Sequence, residues 1–245
     1  MIAKILRDKR IILLTLLLVL LIGIILHEGV HTPWNEAVLH LMRNLQSPTL
    51  TTIFIVITYL GYSKIVMMAS PIILLYCLIQ KHWRLALYWF FYSLCVIASI
   101  FLIKYAVHTP RPGGILVSPS SYSFPSGHVT LAVASYGFWV SRIAHTLRKR
   151  FVTPLFCGFV LFVVLVMLSR LYLSAHWLSD VLGGALLGTI LLILVNMLYT
   201  QKPADKINPK SMAIACLLSV MICTILYGVT HLTIDKKNVQ LVALI

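Results

Sequence analysis

Residues 152–199 read VTPLFCGFVLFVVLVMLSRLYLSAHWLSDVLGGALLGTILLILVNMLY, two apolar runs flanking the polar connection Ser169–Asp180. An apolar run of about 20 residues is what a helix needs to cross roughly 30 Å of hydrocarbon, where the backbone must satisfy its own hydrogen bonds. The stretch is therefore expected to be a helical hairpin through a bilayer, holding Arg170, His176 and Asp180 at one membrane face. Outward from it, further apolar runs lie at 11–28, 63–80, 85–107, 127–147 and 211–230. With 152–170 and 177–199 they make an all-α integral membrane protein of seven spans.

Composition points the same way. The 245 residues are 60% hydrophobic and 11% charged, with a mean hydropathy of +0.96, far from a soluble domain. The net charge of +14 would suit a nucleic-acid partner, but the basic residues form short clusters between apolar runs rather than one patch. The expected partner is the bilayer, and no nucleic acid is expected. Cys77, Cys95, Cys157, Cys216 and Cys223 stand inside apolar stretches without C-x-x-C spacing and read as packing residues. Met1–Arg10 followed by Ile11–Leu26 has the basic and apolar parts of a signal peptide, but no small-x-small cleavage site follows, so it is expected to remain as the first span.

Residues 1–200 are expected to form a six-span core, and residues 201–245 a linker, an additional transmembrane helix and a tail, the clearest break being Lys202–Lys210. Between the first two spans Trp34, Val38, Leu41 and Leu45 recur at helical spacing, while Asn35, Glu36, His40, Arg43 and Asn44 take other faces. That is the pattern of an amphipathic helix lying in the membrane interface. Leu50–Leu60 is short for a crossing and ends at Gly61, so it reads as interfacial or re-entrant. With the N-terminus inside, only seven of the 20 basic residues then fall outside: Arg43, Lys64, Lys104, Arg111, Arg170, Lys236 and Lys237.

Three segments are more polar than a spanning protein needs: Lys104–Pro112, Pro125–His128 and Ser169–Asp180. They fall at the end of the third span, the start of the fourth and the turn between fifth and sixth, hence on one side of the membrane. Together Lys104, Arg111 and Arg170 supply three cations for a tetrahedral anion, arginine donating two parallel hydrogen bonds. Ser126 and Gly127 open a helix, whose free N–H groups and dipole add attraction for phosphate. His176 and Asp180, four apart, read as one helical turn on the sixth span, the carboxylate orienting the imidazole as a nucleophile. His128, from another helix, can protonate the leaving alkoxide and later activate water. This scheme uses no cofactor and no metal, because fixed cations carry the charge stabilisation.

The order K-x6-R-P, P-S-G-H, S-R-x5-H-x3-D resembles the signature of the type 2 phosphatidic acid phosphatase superfamily, in its bacterial membrane branch. The resemblance implies a six-span core and hydrolysis of a lipid phosphate monoester or diphosphate through a phosphohistidine. Phosphatidic acid, phosphatidylglycerophosphate, undecaprenyl diphosphate and lipid A are the substrate types it brings. It makes His176 the nucleophile, Asp180 its partner, His128 the acid, and Lys104, Arg111, Ser126, Gly127 and Arg170 the phosphate ligands, in a bacterial cytoplasmic (inner) membrane. A seventh helix departs from that six-span pattern.

Other readings stay open. A lipid phosphotransferase would use the same phosphohistidine, and a transport or binding protein would hold lipid phosphate without needing the His176–Asp180 pair. A basic residue at a membrane edge is ordinarily a snorkelling anchor, and only the spacing of the three segments argues otherwise. Ser169 divides evenly between ligand and packing. Tyr105, His108, Thr109, Tyr172 and Ser174 read as packing or solvent contacts, the cluster His27, Glu28, His31 and His40 as a wet loop, and Ser118–Ser123 as a flexible loop over the pocket.

Overall fold

The computed structural model describes residues 2–26, 32–113, 122–199 and 208–242. The cluster His27, Glu28 and His31, the loop around Ser118 and most of the Lys202–Lys210 break lie outside the described residues. Helix α1 (Ile2–Leu26) packs against α9 (Leu178–Tyr199). The short helices α2 (Pro33–Asn44) and α3 (Pro48–Leu60) follow, then α4 (Ser63–Ile79) and α5 (Trp83–Val107). Helix α6 (Gly127–Leu131) runs through a π-helical turn, Ala132–Tyr136, into α7 (Gly137–Ala144). Helix α8 (Lys149–Tyr172), α9 and α10 (Pro209–Val242) complete the chain.

Five stretches among the described residues are long and apolar enough to cross a membrane: Pro48–Ile79, Trp83–Val107, Lys149–Tyr172, Leu178–Tyr199 and Pro209–His231. Their outward faces carry large exposed apolar side chains such as Leu102, Leu161, Leu198 and Leu217, the inverse of a water-facing surface. The chain is an integral membrane protein. The Leu50–Leu60 run is most of α3, which continues into α4 after a two-residue break at Gly61 and Tyr62. Hydrogen bonds tether its ends to the C-terminal end of α8: Tyr172 Oη accepts from the Ser47 N–H, and Thr58 Oγ1 accepts from Arg170.

Helix α2 is amphipathic with one correction to the expected faces. Trp34, Leu41 and Leu45 are exposed as an interfacial face requires, but Asn35 is buried. Its amide donates to Ser179 Oγ at 3.2 Å and accepts from the Ser179 N–H at 3.1 Å, which anchors α2 on the first turn of α9.

The pairing of α6 with α9 depends on glycine. A Cβ at Gly184 would stand 2.7 Å from the Ser126 carbonyl oxygen, and one at Gly188 would stand 2.8 Å from Val133 Cβ. With hydrogen in those places the two backbones come close enough to set Ser126 beside Asp180, whose carbonyl accepts from the Ser126 N–H at 3.0 Å. Trp89, Phe138 and Trp139 fill the core on the far side, with ring centroids 4.9–5.4 Å apart.

Candidate active site

One end of the bundle collects the polar segments. Lys104 lies in the last turn of α5, Arg170 in the last turn of α8, Ser126 caps α6, and His176 sits in the connection before α9. Lys104, Arg111, Gly127, His128, Arg170 and His176 line a cavity of about 290 Å³, together with Tyr62. A larger cavity of about 610 Å³ lies between α4, α7, α8 and α10, but no charged side chain faces it. The smaller cavity is therefore the candidate site.

His176 and Asp180 meet by a route other than the expected helical turn. Helix α9 begins at Leu178, so His176 precedes it, and Asp180 lies in the first turn. One carboxylate oxygen accepts from the Trp177 N–H at 2.8 Å, an N-terminal capping contact, and faces His176 Nδ1 at 3.2 Å. A donor at Nδ1 leaves Nε2 with its lone pair toward the cavity, 3.2 Å from an Arg111 guanidinium nitrogen. Burial first, then the charges of Arg170, Arg111 and Lys104, hold the imidazole well below its ordinary pKa. His176 thus opens on a cavity lined by three cations that disfavour its protonation.

The cations are fixed from behind. Arg111 also donates to the Ala175 carbonyl at 2.8 Å, and Lys104 Nζ donates to the Tyr122 and Ser123 carbonyls at 2.5 and 3.0 Å. Arg170 donates to Thr58 at 2.7 Å, while its Nε, Ser126 Oγ and His128 Nε2 are buried and meet no hydrogen-bond partner among the described residues. Buried polar atoms of this kind are costly unless something else satisfies them. A tetrahedral anion in the cavity would do so.

Ser169 bonds back to the Val166 carbonyl at 2.7 Å and is a packing residue. Ser123 is no part of a flexible loop: it is fully buried, with its hydroxyl between the Asp180 carboxylate and His176 Nδ1. Ser123, Tyr62, Thr58 and Asn35 join the site or its support without any signal in their local sequence. Thr109 is likewise buried, its carbonyl accepting from the Ser123 N–H at 2.7 Å. Among the described residues no three His, Cys, Asp or Glu side chains gather as metal ligands would. The five cysteines are free thiols.

The described geometry has close relatives. A family model for the PAP2 superfamily matches residues 86–204. Phosphatidylglycerophosphatase B of Bacillus subtilis (strain 168) is 39% identical over 84 residues, a match covering 33% of this chain and only 40% of the relative's length. The crystal structure of the first transmembrane PAP2 type phosphatidylglycerolphosphate phosphatase from Bacillus subtilis superposes with a TM-score of 0.67 at 25% identity, covering 79% of this chain and 98% of that one. LpxE of Aquifex aeolicus superposes with a TM-score of 0.47 at 25% identity, over 68% and 97% of the two chains. Residues 86–204, which hold the three polar segments of the signature gathered in one cavity, belong to the PAP2 superfamily.

Proposed function

We propose that the protein is a membrane lipid phosphatase that hydrolyses a lipid phosphate monoester or diphosphate through a phosphohistidine on His176. The observation that carries this reading is a carboxylate-oriented imidazole whose other nitrogen meets Arg111 in a cavity also lined by Lys104 and Arg170. In the first step the Nε2 lone pair forms the P–N bond while the P–O bond to the lipid breaks, and His128, whose protonation burial and the three cations oppose until the bound phosphate anion offsets them, gives its proton to the departing oxygen. Asp180 stabilises the ring as it becomes positive. In the second step a water oxygen attacks phosphorus, its proton passes to His128, and the P–N electron pair returns to His176. Ser126, Gly127 and the three cations hold the phosphoryl oxygens throughout.

Lipid as the substrate class is supported by what adjoins the cavity. A second hollow of about 210 Å³ continues from it between α4 and α5, sharing Met67, Ile97 and Leu131 with the first. Apolar side chains such as Leu74, Phe90 and Leu94 line it. A phosphate seated among the cations would lay its hydrocarbon chain in this gap.

The test is phosphate release from a panel of lipid phosphates in detergent, parent against His176→Ala. Appearance of phosphate on a second lipid or sugar instead would identify a transferase, and retained binding with no turnover of any lipid would identify a binding or transport protein. Because side chains supply the charge, activity is expected to survive EDTA and to be inhibited by vanadate, a mimic of the five-coordinate transition state. Loss on chelation with recovery on adding magnesium would remove the metal-independent scheme.

We place the site on the outer face of the membrane, with the N-terminus inside, from the uneven distribution of basic residues, and take that membrane to be a bacterial cytoplasmic one from the family resemblance alone. In a variant lacking the five native cysteines, Asn44→Cys is expected to react with an impermeant thiol reagent added outside intact cells, and Lys149→Cys only after permeabilisation. Reversed labelling would invert the orientation.

A further inference from the structure

Helix α10 lies beyond the segment the family model matches, yet it reaches the active site through a line of rings. Tyr227 on α10 packs on Tyr59, at the end of α3, with centroids 5.3 Å apart, and on Tyr62, in the α3–α4 break, at 4.9 Å. Tyr62 lines the catalytic cavity and lies 5.2 Å from the His128 ring. His231, one turn further along α10, stacks on Tyr227 with centroids 4.0 Å apart and planes at 6°. Two further contacts press the same break onto the helix that carries His128. The Tyr136 hydroxyl donates to the Leu60 carbonyl, and a Cβ at Gly61 would stand 3.4 Å from the His128 carbonyl oxygen.

His128 Nε2 meets no hydrogen-bond partner among the described residues, so packing rather than a hydrogen bond to that nitrogen must aim the ring. Tyr62 is the ring it packs on. Aromatic pairs at these separations are individually weak contacts, but a proton donor displaced by an ångström loses much of its rate advantage. We propose that Tyr62 and Tyr227 are positioning residues for His128, so that α10 is a working part of the catalytic unit. Removing the Tyr227 ring frees Tyr62, and His128 then loses its alignment with the leaving oxygen. This rests on the reading of His128 as the general acid.

The test measures the first turnover by rapid quench, comparing a lipid alkyl phosphate with p-nitrophenyl phosphate, whose good leaving group needs little protonation. His128→Ala should slow the alkyl substrate about 100-fold more than the aryl one. Tyr227→Ala and Tyr62→Ala should show the same bias at about tenfold, and Tyr227→Phe, which keeps the ring, should restore the parent ratio. Tyr227→Leu, which keeps bulk in the helix packing, serves if the alanine variant does not fold. Equal slowing of both substrates in the Tyr227 variants, or no slowing, with the bias intact in His128→Ala, would overturn the positioning role alone. Absence of the bias in His128→Ala itself would overturn the general-acid reading and this proposal with it.

Discussion

His176→Ala should lower kcat by about 10⁴-fold or more, with the thermal melting temperature and the affinity for a lipid phosphate largely kept. On the proposed mechanism the size of the effect follows from the loss of the atom that forms the P–N bond; the cations and the helix N-terminus would still bind the phosphate but could not react with it. Residual turnover above about one per cent would remove His176 as nucleophile. The parent enzyme supplies a second check through pH. Protonation of Nε2 blocks attack, and the cations and burial make that protonation harder, so kcat/KM should not fall as the pH is lowered from 8 to the ordinary imidazole value of 6.5. An acid limb centred near pH 7 and assigned to His176 would contradict the electrostatic account.

Arg170→Ala should reduce kcat/KM by about 10²–10³-fold, affecting KM as well as kcat, because in the proposed mechanism its guanidinium meets phosphoryl oxygens in both ground and transition states. Arg170 is 4% exposed and is held by Thr58 through one of its terminal nitrogens. Lysine keeps the charge but loses the fork, so Arg170→Lys should recover only a minor part of the loss. Steady-state kinetics on a lipid monophosphate decide the matter. A full rescue by lysine would reduce Arg170 to a point charge, and an unchanged KM in the alanine variant would confine its contribution to the transition state.

The difference between what was legible in the sequence and what was not has a physical cause. Lys104, Arg111, His128, Arg170 and His176 were legible because charged and imidazole groups next to apolar runs are expensive and need a reason to be there, and the structure places them around one cavity. The nearness of His176 to Asp180 was expected from a helical turn, but it arises from a capping contact across the start of α9. Spacing alone does not tell a helical turn from a capped loop. Ser123 lay among serines that suggested a mobile loop, and its burial against Asp180 depends on the return of the chain from Thr109, which no local pattern encodes. Tyr62, Tyr227 and Asn35 were unreadable for the same reason: an aromatic ring or amide within an apolar or amphipathic helix takes its meaning from whichever partner the tertiary fold supplies.

The gap between α4 and α5, which meets the cation-lined cavity at Met67 and Ile97, has a kinetic consequence if the substrate is a lipid. A substrate that slides in sideways never leaves its leaflet, so encounter becomes a search in two dimensions. The variable that governs saturation is then the mole fraction of substrate among its neighbouring lipids, not its molarity in the suspension. Inert lipid in the same sheet acts as the diluent, while added buffer dilutes nothing the enzyme can sense.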